Sequence, residues 1–156
     1  MITPGAQSHR NPGPDRSPRS VVRTLGRLAL GSFLASAGVG HLTFAREEFQ
    51  AQVPGWVPLD PDVVVVASGV VEVGLGLALL VTPRRYRPLV GWVAAAFFVA
   101  IFPGNISQYV TRTDAFGLES DTARAVRLLF QPVLVAWALW STGAWRAFRA
   151  SAAARD

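Results

Sequence analysis

The sequence predicts an all-α integral membrane protein, a four-helix bundle with both termini in the cytoplasm. The 156-residue chain is 51% hydrophobic, which is high for a soluble domain of this length. It contains four apolar segments of about twenty residues, a length that crosses a hydrocarbon core of roughly 30 Å. Arginines cluster before the first segment, after the second and after the fourth. Each of these features is typical of a multi-pass membrane protein.

The chain begins with a polar segment. Residues 1–22 contain four prolines and three arginines with few apolar side chains, which predicts a disordered basic tail. The first span is expected at about 25–45. The tail and the "ASA" at 35–37 also fit a signal peptide with its cleavage site, but the apolar run continues past that point.

Three further spans complete a predicted transmembrane domain over residues 23–148. They are expected at about 63–82, 88–110 and 126–145, and residues 149–156 form a C-terminal tail. Eleven of the fifteen arginines then lie on the same side of the membrane as both termini. The positive-inside rule makes that side cytoplasmic, so a cell-membrane protein with N-in and C-in topology is predicted.

Composition excludes several classes of function. The net charge is +5, but the basic residues fall between apolar runs instead of along one helix face, so the bilayer and not nucleic acid is the expected partner. The chain has no cysteine, which excludes a disulfide, a dithiol redox pair and a thiolate metal site within it. Of its two histidines, one lies in the tail, so no metal site is expected.

Glu72 interrupts an otherwise apolar segment near its middle. An acid at the centre of a membrane helix costs roughly 3 kcal/mol on insertion scales, so it needs a partner or a role. By the predicted topology most strongly polar side chains of the spans belong to the outer half, which suggests one outward-facing pocket floored by Glu72. Its candidate residues are His41, Ser68, Glu72, Asn105, Gln108, Arg127 and Gln131.

Two stripes of small or polar residues indicate where the helices pack. Each stripe repeats every four residues. The stripe in the first predicted span consists of Ser32, Ser36 and Gly40, and the stripe in the second consists of Ser68, Glu72 and Gly76. Glu72 should therefore point inward, paired with Arg127 or Gln131, and with His41 and Asn105 as wall donors. Because Arg127 lies nearer to the outer surface than Glu72 does, the Glu72 carboxyl is expected within hydrogen-bond reach of His41 or Gln131 rather than of Arg127. Each of these residues also has a structural interpretation. Glu72 could be a buried structural carboxyl, His41 a hydrogen-bonded residue at the membrane interface, and Arg127 a side chain that extends to the outer lipid headgroups.

Two prolines lie inside predicted helices. Pro103 cannot donate to the carbonyl of Val99, nor Pro132 to that of Leu128, so each should kink its helix and free an acceptor.

Four pieces of the sequence resemble the DoxX family of small bacterial membrane proteins. They are "AGVGHLTFAREEFQAQVPGWVP", "SGVVEVGLGLALL", "IFPGNI" and "RLLFQPVLVAWALW", within about residues 25–145. The resemblance implies four membrane helices, and it puts recurring family positions at His41, Glu72, Pro103, Asn105, Arg127 and Gln131. Leu42 and Gly104 depart from the usual pattern. Some DoxX proteins are associated with thiosulfate and quinone oxidation or with oxidative-stress complexes, and distant relatives assist membrane-protein assembly.

We therefore expect a non-catalytic accessory subunit whose pocket binds a small molecule, a quinone or a partner helix, linked to redox or oxidative-stress metabolism. Its partner would be a membrane oxidoreductase or another membrane protein. No cofactor of its own is expected, although a quinone contact fits the resemblance. The alternatives are a proton-coupled small-solute transporter and a membrane-protein assembly factor. An enzyme is disfavoured because no activated nucleophile or nucleotide-binding loop is evident.

Overall fold

The computed structural model describes residues 18–114 and 120–155, and this part of the chain is helical. A 3₁₀ turn, Arg84–Tyr86, precedes the fourth helix. In chain order the helices are α1 (Pro18–Leu42), α2 (Arg46–Gln50), α3 (Pro61–Val81), α4 (Arg87–Thr111), α5 (Asp121–Thr142) and α6 (Ala144–Ala153).

Three helical segments within the described ranges are long and apolar enough to cross a membrane. They are Pro61–Val81, Arg84–Thr111 and Asp121–Thr142. These correspond to the second, third and fourth expected spans and are compatible with a membrane protein. The expected first span, α1, is not among them, because its N-terminal half carries Arg19, Arg23 and Arg27 and its remainder is rich in small residues.

The four long helices pack mainly as two pairs. α1 lies along α3, α4 lies along α5, and α1 also contacts α5. An apolar core fills the middle of this arrangement and consists of Leu30, Leu34, Leu79, Ala94, Ala95, Phe98 and Ala138. The all-helical prediction is therefore confirmed.

Helix ends differ from the sequence expectations at two places. α1 begins at Pro18, so residues 18–22 are helical where a disordered tail was expected; proline fits the first turn of a helix because its missing N–H is not needed there. Residues 1–17 lie outside the described part. α5 ends at Thr142, because Gly143 adopts a left-handed φ of 77°, and α6 then continues into the expected C-terminal tail.

The two ends of the helix assembly differ in chemistry. The loop end contains α2, the α2–α3 connection, the end of α4 and the beginning of α5. The basic end contains the beginning of α1, the 3₁₀ turn and α6, each of which carries arginine. At the basic end the buried Arg27 side chain donates to the carbonyls of Leu79 and Leu80 and so caps the last turn of α3.

Candidate functional site

A cavity of about 680 Å³ lies at the loop end, between α1, α3, α4, α5 and the α2–α3 connection. Most of its wall is apolar. Its polar lining consists of His41, Gln52, Ser68, Asn105, Arg127 and Gln131. Five of the seven side chains singled out in the sequence therefore meet at one cavity, although they come from four different helices.

Glu72 has its partner in His41. The histidine Nδ1 lies 3.0 Å from Glu72 Oε2, and both side chains are buried. The same Nδ1 is 2.9 Å from the Ala37 carbonyl oxygen and aligned with it. Within the described residues Oε2 has no aligned hydrogen-bond donor. A carbonyl oxygen can only accept, so Nδ1 donates its hydrogen to Ala37, and the Glu72 carboxyl lies beside that same N–H.

Glycine lets α1 and α3 approach at this pair. A Cβ placed on Gly38 would lie 2.6 Å from the Gly69 carbonyl oxygen and 2.9 Å from the Glu72 Cβ. Farther along, Gly76 meets the backbone of Gly31 and Ala35 in the same way. The helices can therefore touch backbone to backbone, which brings the Glu72 carboxyl against α1.

The predicted packing stripes are right for one helix and wrong for the other. On α3, Glu72 and Gly76 are buried against α1 as expected. On α1, Ser32 and Ser36 are exposed, and the contact is made instead by Gly31 and Gly38. The seven-residue separation of those glycines suits two helices that cross at a shallow angle.

The short helix α2 covers His41. The Phe49 ring stacks on the imidazole with a centroid separation of 3.3 Å and an interplanar angle of 16°. Asp62 at the start of α3 holds α2 in place, because it accepts hydrogen bonds from Arg46 and from Gln50, the latter at 2.6 Å. The side-chain hydrogen bond with Asp62 raises the pKa of Arg46 above its usual range.

Asn105 and Gln131 join α4 to α5. Asn105 Nδ2 donates to Gln131 Oε1 at 2.9 Å, and Gln131 Nε2 donates to the Phe98 carbonyl at 2.5 Å. That carbonyl immediately precedes the Val99 carbonyl, which Pro103 cannot pair, so the glutamine supplies a donor where the proline weakens the helix ladder. Pro103 itself lines the cavity.

Gln52 also lines the cavity, although it is not among the residues expected there from the sequence. It is buried in the α2–α3 connection, where its Oε1 accepts a hydrogen bond from Arg127 Nη2 at 2.6 Å. Its Nε2 has no hydrogen-bond partner among the described residues. Gln52 belongs to the "AQVPGWVP" stretch that resembles the DoxX family, but the sequence pattern of a loop does not indicate where its side chains fold back.

Three expectations about the site are wrong. Glu72 does not line the cavity but lies behind His41, which does. Of the two partners expected for Glu72, His41 is found and Gln131 is not, because the oxygen and nitrogen of the Gln131 amide bond to Asn105 and to the Phe98 carbonyl. Gln108 is also outside the lining, and its Nε2 donates to the Thr113 carbonyl beyond the end of α4.

The cavity presents hydrogen-bond donors next to an apolar wall. Within residues 18–114 and 120–155 its lining contains no acidic side chain, and no group of three or more His, Cys, Asp or Glu is placed to hold a metal ion. The Arg127 guanidinium, the Gln52 amide and the Ser68 hydroxyl can each donate to a ligand oxygen. Such a site suits a mainly apolar molecule that carries hydrogen-bond acceptors.

The fold and this site define a class: an all-helical protein with three membrane-span candidates and a mixed polar and apolar cavity at one end of its helices. The chain belongs to the family described as "Domain of unknown function (DUF8561)", which matches residues 30–142 and so covers α3, α4, α5 and about the second half of α1. No curated protein and no solved structure matches the chain.

Proposed function

We propose that the protein is a four-span, non-catalytic membrane subunit that binds a quinone-type molecule in its loop-end cavity. The observation that supports this proposal most strongly is the Gln52 side chain. Its Nε2 is buried without a hydrogen-bond partner among the described residues, next to the Arg127 guanidinium, in a cavity whose wall is otherwise largely apolar. A quinone ring offers carbonyl oxygens to such donors, and its hydrocarbon substituents suit the apolar wall.

In this proposal α1 is the fourth span, although it is less apolar than the other three. Its backbone-close packing against α3 supports insertion in the same membrane, since small residues mediate helix contacts there. The arginines of the basic end support a cytoplasmic position for that end and therefore an N-in, C-in orientation in the cell membrane. The loop end, with Asp60, Asp62 and Asp114, would face outward.

The role of the His41 and Glu72 pair in this proposal is to fix the cavity wall. The carboxyl and the Ala37 carbonyl hold Nδ1, and Phe49 holds the ring face, so the imidazole has little freedom to turn. A restrained ring loses less conformational entropy when a ligand binds, which favours affinity. Glu72 is thus a positioning residue that acts through His41.

The resemblance to the DoxX family suggests the context of such binding. A membrane oxidoreductase would be the partner, and the protein would hold the quinone for it in redox or oxidative-stress metabolism. A proton-coupled transporter is less well supported, because apolar core residues separate the two ends of the assembly. On α1, Leu30 and Leu34 lie between Arg27 and His41, and Ala138 lies beyond Gln131 on α5.

A quinone titration tests the proposal. The detergent-purified protein is titrated with a decyl-substituted benzoquinone while tryptophan fluorescence is recorded, since Trp56 lines the cavity. We expect saturable quenching, and about tenfold weaker binding in Gln52→Met and Arg127→Met, because the first removes a buried hydrogen-bond donor and the second a half-buried, charged one. Arg112→Met is the matched control, as this exposed arginine at the same end is outside the lining.

Two results would contradict the proposal. One is quenching that rises linearly without saturation, which indicates partition of the quinone into the micelle. The other is equal affinity in the wild type, the two cavity variants and the Arg112→Met control, which would place any binding site elsewhere.

A further inference from the structure

A second polar cavity, of about 610 Å³, lies at the basic end of the helices. It is formed by the beginning of α1, the start of α4 and the junction of α5 with α6. Six arginines line it: Arg19, Arg23, Arg27, Arg84, Arg87 and Arg146. In the described part of the chain its lining includes no acidic side chain, so the charge of these arginines is not balanced within the cavity.

Helix termini add to the positive potential of this basic cavity. α4 begins at Arg87, and Pro88 in its first turn lines the cavity. α6 begins at Ala144, and Gly143 immediately before it and Ala147 after it also line the cavity. The N-terminus of a helix carries a partial positive charge and unpaired N–H groups, both of which favour an anion.

Two buried polar atoms of the lining residues have no hydrogen-bond partner among residues 18–114 and 120–155. They are Ser141 Oγ and Arg27 Nε. Ser141 is 5% exposed and Arg27 is 4% exposed. A buried donor without a partner is costly and is normally satisfied by protein, water or ligand. Arginines that only orient a chain in the membrane do not need a buried serine hydroxyl beside them, so the Ser141 Oγ and the Arg27 Nε suggest a bound ligand.

An apolar groove of about 620 Å³ continues from the basic cavity along α4 and α5. The two share the lining residues Arg23, Gly143 and Arg146. The apolar part of the groove includes Val99, Phe102, Val135, Leu139, Trp140 and Trp145. A molecule with an anionic head and a hydrocarbon chain could place its head in the basic cavity and its chain in the apolar groove at the same time. A free phosphate ion could occupy only the basic cavity.

We propose that the basic cavity and the apolar groove together form a binding site for one anionic phospholipid. The phosphate accepts hydrogen bonds from the arginines and from the Ser141 hydroxyl, while an acyl chain lies in the groove. Guanidinium groups bind phosphate oxygens with strong, charge-assisted hydrogen bonds. The basic cavity is at the opposite end of the helices from the quinone-type cavity, whereas the apolar groove reaches Gln131, which lines both. The lipid proposal does not depend on quinone binding.

Lipid binding to the delipidated full-length protein tests this assignment. Native mass spectrometry and thermal unfolding are measured in detergent with phosphatidylglycerol, phosphatidylcholine or inorganic phosphate added. The site variant is the double change Arg84→Gln with Arg146→Gln. The double change Arg85→Gln with Arg149→Gln is the matched control, because it removes the same charge from the same end, outside the cavity. Ser141→Ala is a second site variant that removes only a partnerless hydroxyl.

We expect phosphatidylglycerol to bind with defined stoichiometry and to raise the unfolding temperature more than phosphatidylcholine or inorganic phosphate does. The Arg84/Arg146 double variant and Ser141→Ala should bind phosphatidylglycerol about tenfold more weakly, since each loses hydrogen bonds to a charged group. The Arg85/Arg149 double variant should bind as the wild type does. Ser141→Ala should unfold normally without lipid, so its defect cannot be a folding defect.

Three results would overturn the assignment. Equal stabilisation by the two lipids would show that the phosphate charge is not recognised. Equal stabilisation by inorganic phosphate and phosphatidylglycerol would show that the groove holds no acyl chain. An equal loss of affinity in the site and control double variants would show that general charge, and not the cavity, attracts the lipid.

Discussion

Replacement of Gly38 by alanine should destabilise the protein by forcing α1 away from α3. The added Cβ would lie 2.6 Å from the Gly69 carbonyl oxygen, 2.7 Å from the Val73 nitrogen and 2.9 Å from the Glu72 Cβ. Carbon atoms pack at roughly 3.5–4 Å, and two of these neighbours are backbone atoms that cannot turn aside. The helices must therefore separate by several tenths of an ångström or more.

The expected net cost is about 1–2 kcal/mol. Overpacking of this kind costs roughly 1–3 kcal/mol, and the better helix propensity of alanine returns at most about 1 kcal/mol. Gly74→Ala is the matched control, because a Cβ on Gly74 meets nothing within 4 Å. It should be neutral or stabilising.

Thermal unfolding in one detergent, followed by circular dichroism, measures the difference between the two variants. For a chain of this size a loss of 1–2 kcal/mol corresponds to a fall of about 3–6 °C in Tm. If Gly38→Ala unfolds at the same temperature as Gly74→Ala, the two helices do not pack backbone to backbone at this position, and the account of how Glu72 meets His41 fails with it.

Three other changes have defined outcomes. His41→Leu should cost about 3 kcal/mol in unfolding experiments because it leaves the Glu72 carboxyl buried without its partner, and adding Glu72→Leu should restore most of the loss; additive losses would argue against the pair. Asp62→Asn should loosen α2 and speed tryptic cleavage after Arg46, whereas an unchanged cleavage rate would show that the ion pair does not hold α2. Gly143→Ala should lower stability by about 1 kcal/mol through its left-handed φ; a more stable variant would contradict the assigned backbone conformation.

Helix positions could largely be predicted from the sequence, because an uninterrupted apolar run of about twenty residues is typical of a helix long enough to cross a membrane. The second, third and fourth runs each correspond to a span candidate. The ends were less predictable. Pro18 starts α1 inside a polar segment, and Gly143 stops α5 before the apolar run ends, since backbone conformation and not hydrophobicity sets both limits.

The site was predicted in part. His41, Ser68, Asn105, Arg127 and Gln131 do meet at one cavity, since polar side chains in apolar helices are expected to face one another.

Pairings within the site could not be derived from spacing alone. Whether Glu72 meets His41 or Gln131 depends on how α1 rotates about its axis, and the contact face is set by Gly31 and Gly38, which do not belong to the serine stripe. Gln52 was missed because loop residues have no periodicity that indicates where they fold back. Its contact with Arg127 spans 75 positions of the chain.

Photolabelling with an azido-substituted benzoquinone would show where a quinone-type molecule lies on the protein. The labelled protein is digested, and the modified peptides are identified by mass spectrometry, with unlabelled decyl benzoquinone as competitor. We expect competable labelling in the α2–α3 connection around Gln52 and in α5 near Arg127, and its loss in Arg127→Met. Labelling confined to the apolar groove near Trp140, or labelling that the competitor does not reduce, would contradict a quinone-type site at the loop end.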